Sequence, residues 1–259
     1  MTSELLDWTI IGPAFAAGLI VLSTHVPLGH EVLKRGIIFI DLAIAQIAGL
    51  GVIAAHGLNW EQDGIEVQIA AVSAALLAAI GLHWTEKRWG SKQEALIGIL
   101  FILAATGGIL LLAGNPHGSE HLKELLVGQI LWSTWSSLLP IAALYVGLLI
   151  LWFTTRDRFG PLAFYVIFAI AVTASVQIVG IYLVFASLII PALATEHLQR
   201  GRRLTIGYAI GAVSYLIGIT LSAVLDFPTG AIIVWSMALV ALAAGFLIPA
   251  SAASTTDQN

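Results

Sequence analysis

The chain has 259 residues, 59% of them hydrophobic and only 10% charged, with a mean hydropathy of +0.96. Those values exclude an ordinary soluble domain and point to an all-α, polytopic helical membrane protein. The lack of cysteine excludes disulfides, thiolate metal sites and cysteine nucleophiles, and the net charge of −4 matters less than where Lys and Arg fall along the chain.

The N-terminal MTSELLDW is acidic and lacks the basic region of a cleaved signal peptide, so the first span, residues 8–26, is expected to be retained. Pro27 ends it, and LGHEVLKRG reads as a short basic loop. The second span follows Lys34 and Arg35 and stays apolar through Ala55 except for Asp41 and Gln46. Counted from Gly36, these lie roughly 7.5 Å and roughly 15 Å into the bilayer. A carboxylate at such depth costs a few kcal/mol unless it meets a partner, a cation or a wet cavity, so Asp41 marks a polar path across the membrane. The bland alternative is an Asp that bonds a neighbouring helix. Asp41 and Gln46 are about 140° apart around a helix, so they serve different neighbours.

A third span ends near His83 and leads to a basic loop with Lys87, Arg88 and Lys92; a fourth covers residues 94–113. Next comes GNPHGSEHLKE, in which His117, Glu120 and His121 lie close together. Imidazole and carboxylate suit a borderline divalent cation such as zinc or manganese, although a solvated loop would look the same. Residues 125–132 are too short to cross and read as a half-helix dipping into the protein just before Ser136, with Gln129 on it; the next span is 136–153. The loop TTRDRFGP carries Arg156, Asp157 and Arg158.

Residues 162–195 are almost unbroken apolar sequence, interrupted by Gln177 and Gly180 and closed by Pro191. As one straight helix they would be roughly 51 Å long against a hydrocarbon core of about 30 Å, so a crossing out and a shorter return is expected. Gly180 and Pro191 free backbone groups that suit a re-entrant, cavity-lining element; a structural kink is the alternative. Spans at 205–224 and 230–247 complete eight or nine crossings. With nine crossings and the N-terminus outside, ten of the eleven basic residues are cytoplasmic and only Lys123 is outside. No GxxxxGK[ST] loop, HExxH pair or GxSxG elbow is present, so the chain is not expected to be an enzyme, and any use of ATP must run through another subunit.

Four ordered segments carry a family resemblance: LGHEVLKRGIIFIDLAIAQIAGLG, EALIGILFILAATGGILLL, LKELLVGQIL and VQIVGIYLVFASLIIPALAT. The chain resembles the membrane permease subunits of zinc and manganese ABC transporters. The resemblance implies one transmembrane permease domain over residues 1–259 that works by alternating access in the cell (inner) membrane, among its lipids. It implies a homodimer or pseudo-dimer, cytoplasmic ATP-binding subunits and an extracytoplasmic metal-binding protein, with the metal as substrate rather than as a covalently bound cofactor. Nucleic acid has no place in it. Of the family's acid and histidine on the second helix, only Asp41 carries over, because Ala45 stands where the histidine would be; Gln46, next to it, is a weaker ligand. The family's cytoplasmic coupling segment resembles FDPEFARALG, and only TTRDRFGP stands in its place. That departure keeps two other readings open: a permease-derived passive or proton-linked carrier, and a non-transporting membrane assembly subunit.

Overall fold

The computed structural model describes residues 8–57, 60, 64–113, 115–116, 118–155 and 160–247. They form helices α1 (Trp8–Arg35), α2 (Ile40–Gly57), α3 (Ile65–Trp89), α4 (Gln93–Leu112), α5 (Gly118–Val127), α6 (Trp135–Thr155), α7 (Gly160–Ala194), α8 (Arg200–Leu225) and α9 (Thr229–Leu247). Short 3-10 turns lie at Gly90–Lys92 and Ile130–Trp132, and no strand occurs among the described residues. Among the described residues, six helical stretches are long and apolar enough to cross a membrane: 8–35, 65–112, 135–154, 161–194, 201–225 and 229–247. Ile40–Ala55 is a shorter apolar helix.

The bundle is apolar outside as well as inside. Leu77, Leu110, Leu139, Trp235 and Leu242 are exposed, while Thr24, His25, Asp41, Thr173 and Ser175 are buried. A soluble protein would not leave so many large apolar side chains uncovered, and lipid is the solvent that accepts them.

α1 runs further than the sequence suggests. It continues through Pro27 to Arg35, so LGHEVLKR is helix and not loop. Proline removes the hydrogen bond to the carbonyl four residues back, and here the Tyr208 hydroxyl donates to that carbonyl, on Ser23, at 2.9 Å. The helix stops in a Schellman turn: Gly36 has φ 67, its N–H donates to Leu33 at 3.1 Å, and Ile37 donates to Val32 at 3.3 Å. Consequently α2 begins at Ile40, and Asp41 lies in its first turn rather than well inside a span.

The 65–112 stretch is a hairpin. The side-chain amide of Gln93 donates to the Leu82 carbonyl at 2.9 Å, a reach that a straight helix of this length forbids. α2 touches both arms, with Gly51 against Ala70 of α3 and Ile53 against Gly108 of α4.

α7 is broken at Gly180, whose φ of 78 and ψ of 163 lie outside helical space. Near its start, the Arg35 guanidinium sits 4.5 Å over the Phe164 ring. Just past its end, Thr195 Oγ1 lies 3.4 Å from His30 Nε2. Both ends therefore stand against the C-terminal end of α1, whereas Ser175 reaches back to His25. The chain climbs along α1 to Gly180 and returns, as the length of this apolar run suggests. Where it turns, it meets the segment that follows α5: Gln129 N–H donates to the Ile178 carbonyl at 3.3 Å. The half-helix expected at residues 125–132 is in fact the end of α5 plus the 3-10 turn, and Glu120 and His121 lie on α5 rather than in a loop.

Candidate cation path

Asp41 is fully buried, and neither carboxylate oxygen has a hydrogen-bond partner. Its place in the first turn of α2 puts it near the positive end of the helix dipole, worth about 0.3–1 kcal/mol and up to about 2 when partly buried. Burying an unpaired charge costs more than that, at several kcal/mol. The carboxylate is thus left in need of a cation or a proton.

A buried polar cluster in the same bundle core is centred on Tyr145 of α6. The Tyr145 hydroxyl is hydrogen-bonded to Ser175 Oγ and donates to the Ala171 carbonyl at 2.9 Å. Ser175 Oγ is 3.3 Å from His25 Nε2. The other ring nitrogen, Nδ1, is 2.9 Å from the Val21 carbonyl. A carbonyl only accepts, so Nδ1 carries the proton and Nε2 keeps its lone pair toward Ser175. Thr24 and Thr173 are buried beside these groups in sequence. Three elements, α1, α6 and α7, supply the cluster.

Two cavities approach it from opposite ends. One, of about 660 Å³, is lined by His121 and Glu124 of α5, Gln129, Gln68, Ile141 and Val176–Ile178. The other, of about 650 Å³, is lined by Pro27, His30, Lys34, Arg35, Trp152, Phe164, Glu196 and Arg203. On α6 the order is Ile141, Tyr145, Trp152, and on α7 it is Val176, Ser175, Phe164; each time a cluster residue separates the two cavities.

The structure distributes the sequence-derived candidates unequally. Gln129 and Gln177 line the α5-side cavity, which His121 shares; Nδ1 of His121 lies 3.8 Å from Glu124 Oε2. Glu120 is exposed on α5, and Gln46 is half-buried on α2. Gly180 and the buried Pro191 shape α7. His117, Arg156, Asp157 and Arg158 lie outside the described residues. Among the described residues no three His, Asp or Glu side chains converge as a metal cage.

The profile of the ABC 3 transport family matches residues 7–164 and 158–248. The chain belongs to the ABC 3 transport family. Among its relatives in this family, the manganese transport system membrane protein MntC of Halalkalibacterium halodurans is 26% identical over 253 residues, 89% of this chain and 85% of the relative. The chelated iron transport system membrane protein YfeC of Yersinia pestis is 28% identical over 221 residues, 77% of this chain and 73% of the relative. PsaBC from Streptococcus pneumoniae in complex with Fab shares the fold, with a TM-score of 0.73 at 21% identity over 96% of this chain and 97% of that one.

Within this ABC 3 chain, the sequence singled out Asp41 as a candidate, and the structure adds the buried His25, Tyr145 and Ser175. His25 carried the same signal as Asp41, a polar ionisable side chain inside an apolar span. Tyr145 and Ser175 carried none, since tyrosine and serine are ordinary in membrane helices.

Proposed function

We propose that the chain is the membrane permease subunit of an ABC transporter for a divalent transition metal, and that the cation passes Asp41 by alternating access. The observation that carries this reading is the Asp41 carboxylate, buried and unpartnered in a bundle whose core holds a polar cluster between two cavities. In the polytopic layout that supports it, α1 to α4, α6, the two arms of α7, α8 and α9 make nine crossings of the cell (inner) membrane, as one transmembrane unit over residues 1–259. The Arg35-side cavity then faces the cytoplasm, where Lys34, Arg35 and Arg203 satisfy the positive-inside preference. His121 and Glu124 stand at the outer mouth, with Glu120 and His117 near them in sequence; Gln46 assists Asp41 on the same helix.

The substrate is zinc or manganese, and the relatives' names favour manganese of the two. The metal is cargo. ATP hydrolysis belongs to a cytoplasmic partner, delivery from outside belongs to a metal-binding protein, and two copies of the chain pair in the membrane. The test is reconstitution of the purified chain with its ATP-binding subunit in proteoliposomes. ATP-dependent accumulation of Mn2+ is expected; no Mn2+ or Zn2+ movement under any condition overturns the reading.

One observation favours a second reading. α6 ends at Thr155 and α7 starts at Gly160, which leaves very little chain for docking an ATPase. Equal Mn2+ uptake with and without ATP would identify a carrier that works uncoupled.

A further inference from the structure

We infer that His25 is a direct ligand of the transported cation, with Nε2 joining the Ser175 and Tyr145 hydroxyls in an occluded station between the two cavities, on the path that Asp41 serves. This rests on the permease reading above and extends it to a residue on a different helix.

The geometry is specific. His25 is fully buried in the bundle. Its Nδ1 is committed to the Val21 carbonyl at 2.9 Å, which fixes the ring and aims the Nε2 lone pair at Ser175 Oγ, 3.3 Å away. Metal-binding imidazoles are commonly held this way, with one ring nitrogen donating to a carbonyl and the other free to ligate. Ser175 Oγ also lies 2.7 Å from the Ala171 carbonyl, so its hydroxyl proton has an acceptor other than the ring. Rotation of the serine would expose Nε2 to an incoming ion without any movement of the histidine.

The chemistry fits a cation in transit. One imidazole nitrogen and two hydroxyl oxygens form a mixed N/O set that a borderline divalent metal can visit. The set is sparse, since no three His, Asp or Glu side chains converge among the described residues. A dense cage would trap its ion, whereas conduction requires a site that releases what it binds. The position fits too: Pro27, two residues beyond His25, already lines the Arg35-side cavity, and Val176, next to Ser175, lines the α5-side cavity.

The experiment uses the full chain in lipid nanodiscs loaded with Mn2+ as the probe, read by electron spin-echo envelope modulation, which detects nitrogen bound directly to the metal. Wild-type protein should show a histidine nitrogen that changes on 15N-histidine labelling. The signal should vanish in His25→Gln, with at least about tenfold weaker Mn2+ binding, and persist in His83→Gln, whose imidazole lies beside Glu86 at the end of α3. If His25→Gln does not accumulate as a monodisperse protein, a chain in which the other six of its seven histidines are replaced by Gln must keep the signal. A nitrogen signal that survives His25→Gln, or that the six-fold variant loses, overturns the role of His25. Mn2+ uptake by wild-type cells without any nitrogen coupling overturns it as well, yet leaves the permease reading standing. Absence of both uptake and binding overturns the two together.

Discussion

Gly128 and Gly180 meet backbone against backbone. A methyl group on either would collide with main-chain atoms of the other segment. Both have positive φ, 74 and 78, so a side chain would add conformational strain of about 1–3 kcal/mol to the steric clash. This contact fixes the fold-back of α7 against the segment after α5, and the polar cluster depends on that fold-back because Ser175 is carried by the first arm.

Gly180→Ala should therefore fail to accumulate, or lose roughly 3 kcal/mol or more of stability once strain and clash are combined. Gly147→Ala on α6 is the matching control, since nothing lies within 4 Å of a Cβ there; it should be neutral or gain about 0.5–1 kcal/mol. Fluorescence-monitored thermal unfolding in detergent separates the two. Equal behaviour would mean that the two segments are not in contact.

Asp41 should cost the protein stability. An unpartnered buried polar group carries a penalty of about 1–3 kcal/mol, and natural proteins retain such groups where function needs them. Asp41→Leu is expected to raise Tm by several degrees, at about 2–4 °C per kcal/mol for a chain of this size, while transport is lost. A lower Tm would point to a partner that stabilises the carboxylate.

The topology is testable because the chain has no cysteine. With Lys123→Cys and Gly90→Cys as single variants in intact cells, an impermeant maleimide should label position 123 and not position 90. The reverse pattern would invert the layout and place the α5-side cavity in the cytoplasm.

Coupling to ATP can be probed at the α6–α7 link. Reversing Arg156 and Arg158 to Glu together should abolish co-purification of an ATP-binding subunit in mild detergent. Labelling at position 123 must stay intact, since these arginines also help to set orientation. Retained co-purification in a correctly inserted variant would move the docking contact elsewhere.

Much of this architecture was legible in the sequence because lipid imposes one rule on the backbone: every span must satisfy its own hydrogen bonds. Length alone suggested that residues 162–195 fold back, and Arg35 over Phe164 with Thr195 beside His30 agree with that. The end of α1 was misjudged because Pro27 looks like a terminator; the Tyr208 hydroxyl that compensates for it comes from a distant helix and leaves no local trace. The site was only half legible for the same reason. Asp41 declares itself by its charge, but the convergence of His25, Ser175 and Tyr145 is a product of packing between α1, α6 and α7. The pairing of Asp41 with a histidine one turn along its own helix, suggested by the family pattern, fails at Ala45, and the fully buried imidazole of the bundle core is His25, on another helix.

The central claim is that a divalent cation crosses the bundle past Asp41, and the most direct measurement is 54Mn2+ uptake by cells expressing wild-type chain or Asp41→Asn at equal membrane abundance. The substitution preserves shape and removes the charge. Uptake should fall at least about tenfold, equivalent to roughly 1.4 kcal/mol of lost cation interaction. Unchanged uptake in a fully inserted Asp41→Asn protein would contradict the account and take Asp41 out of the path.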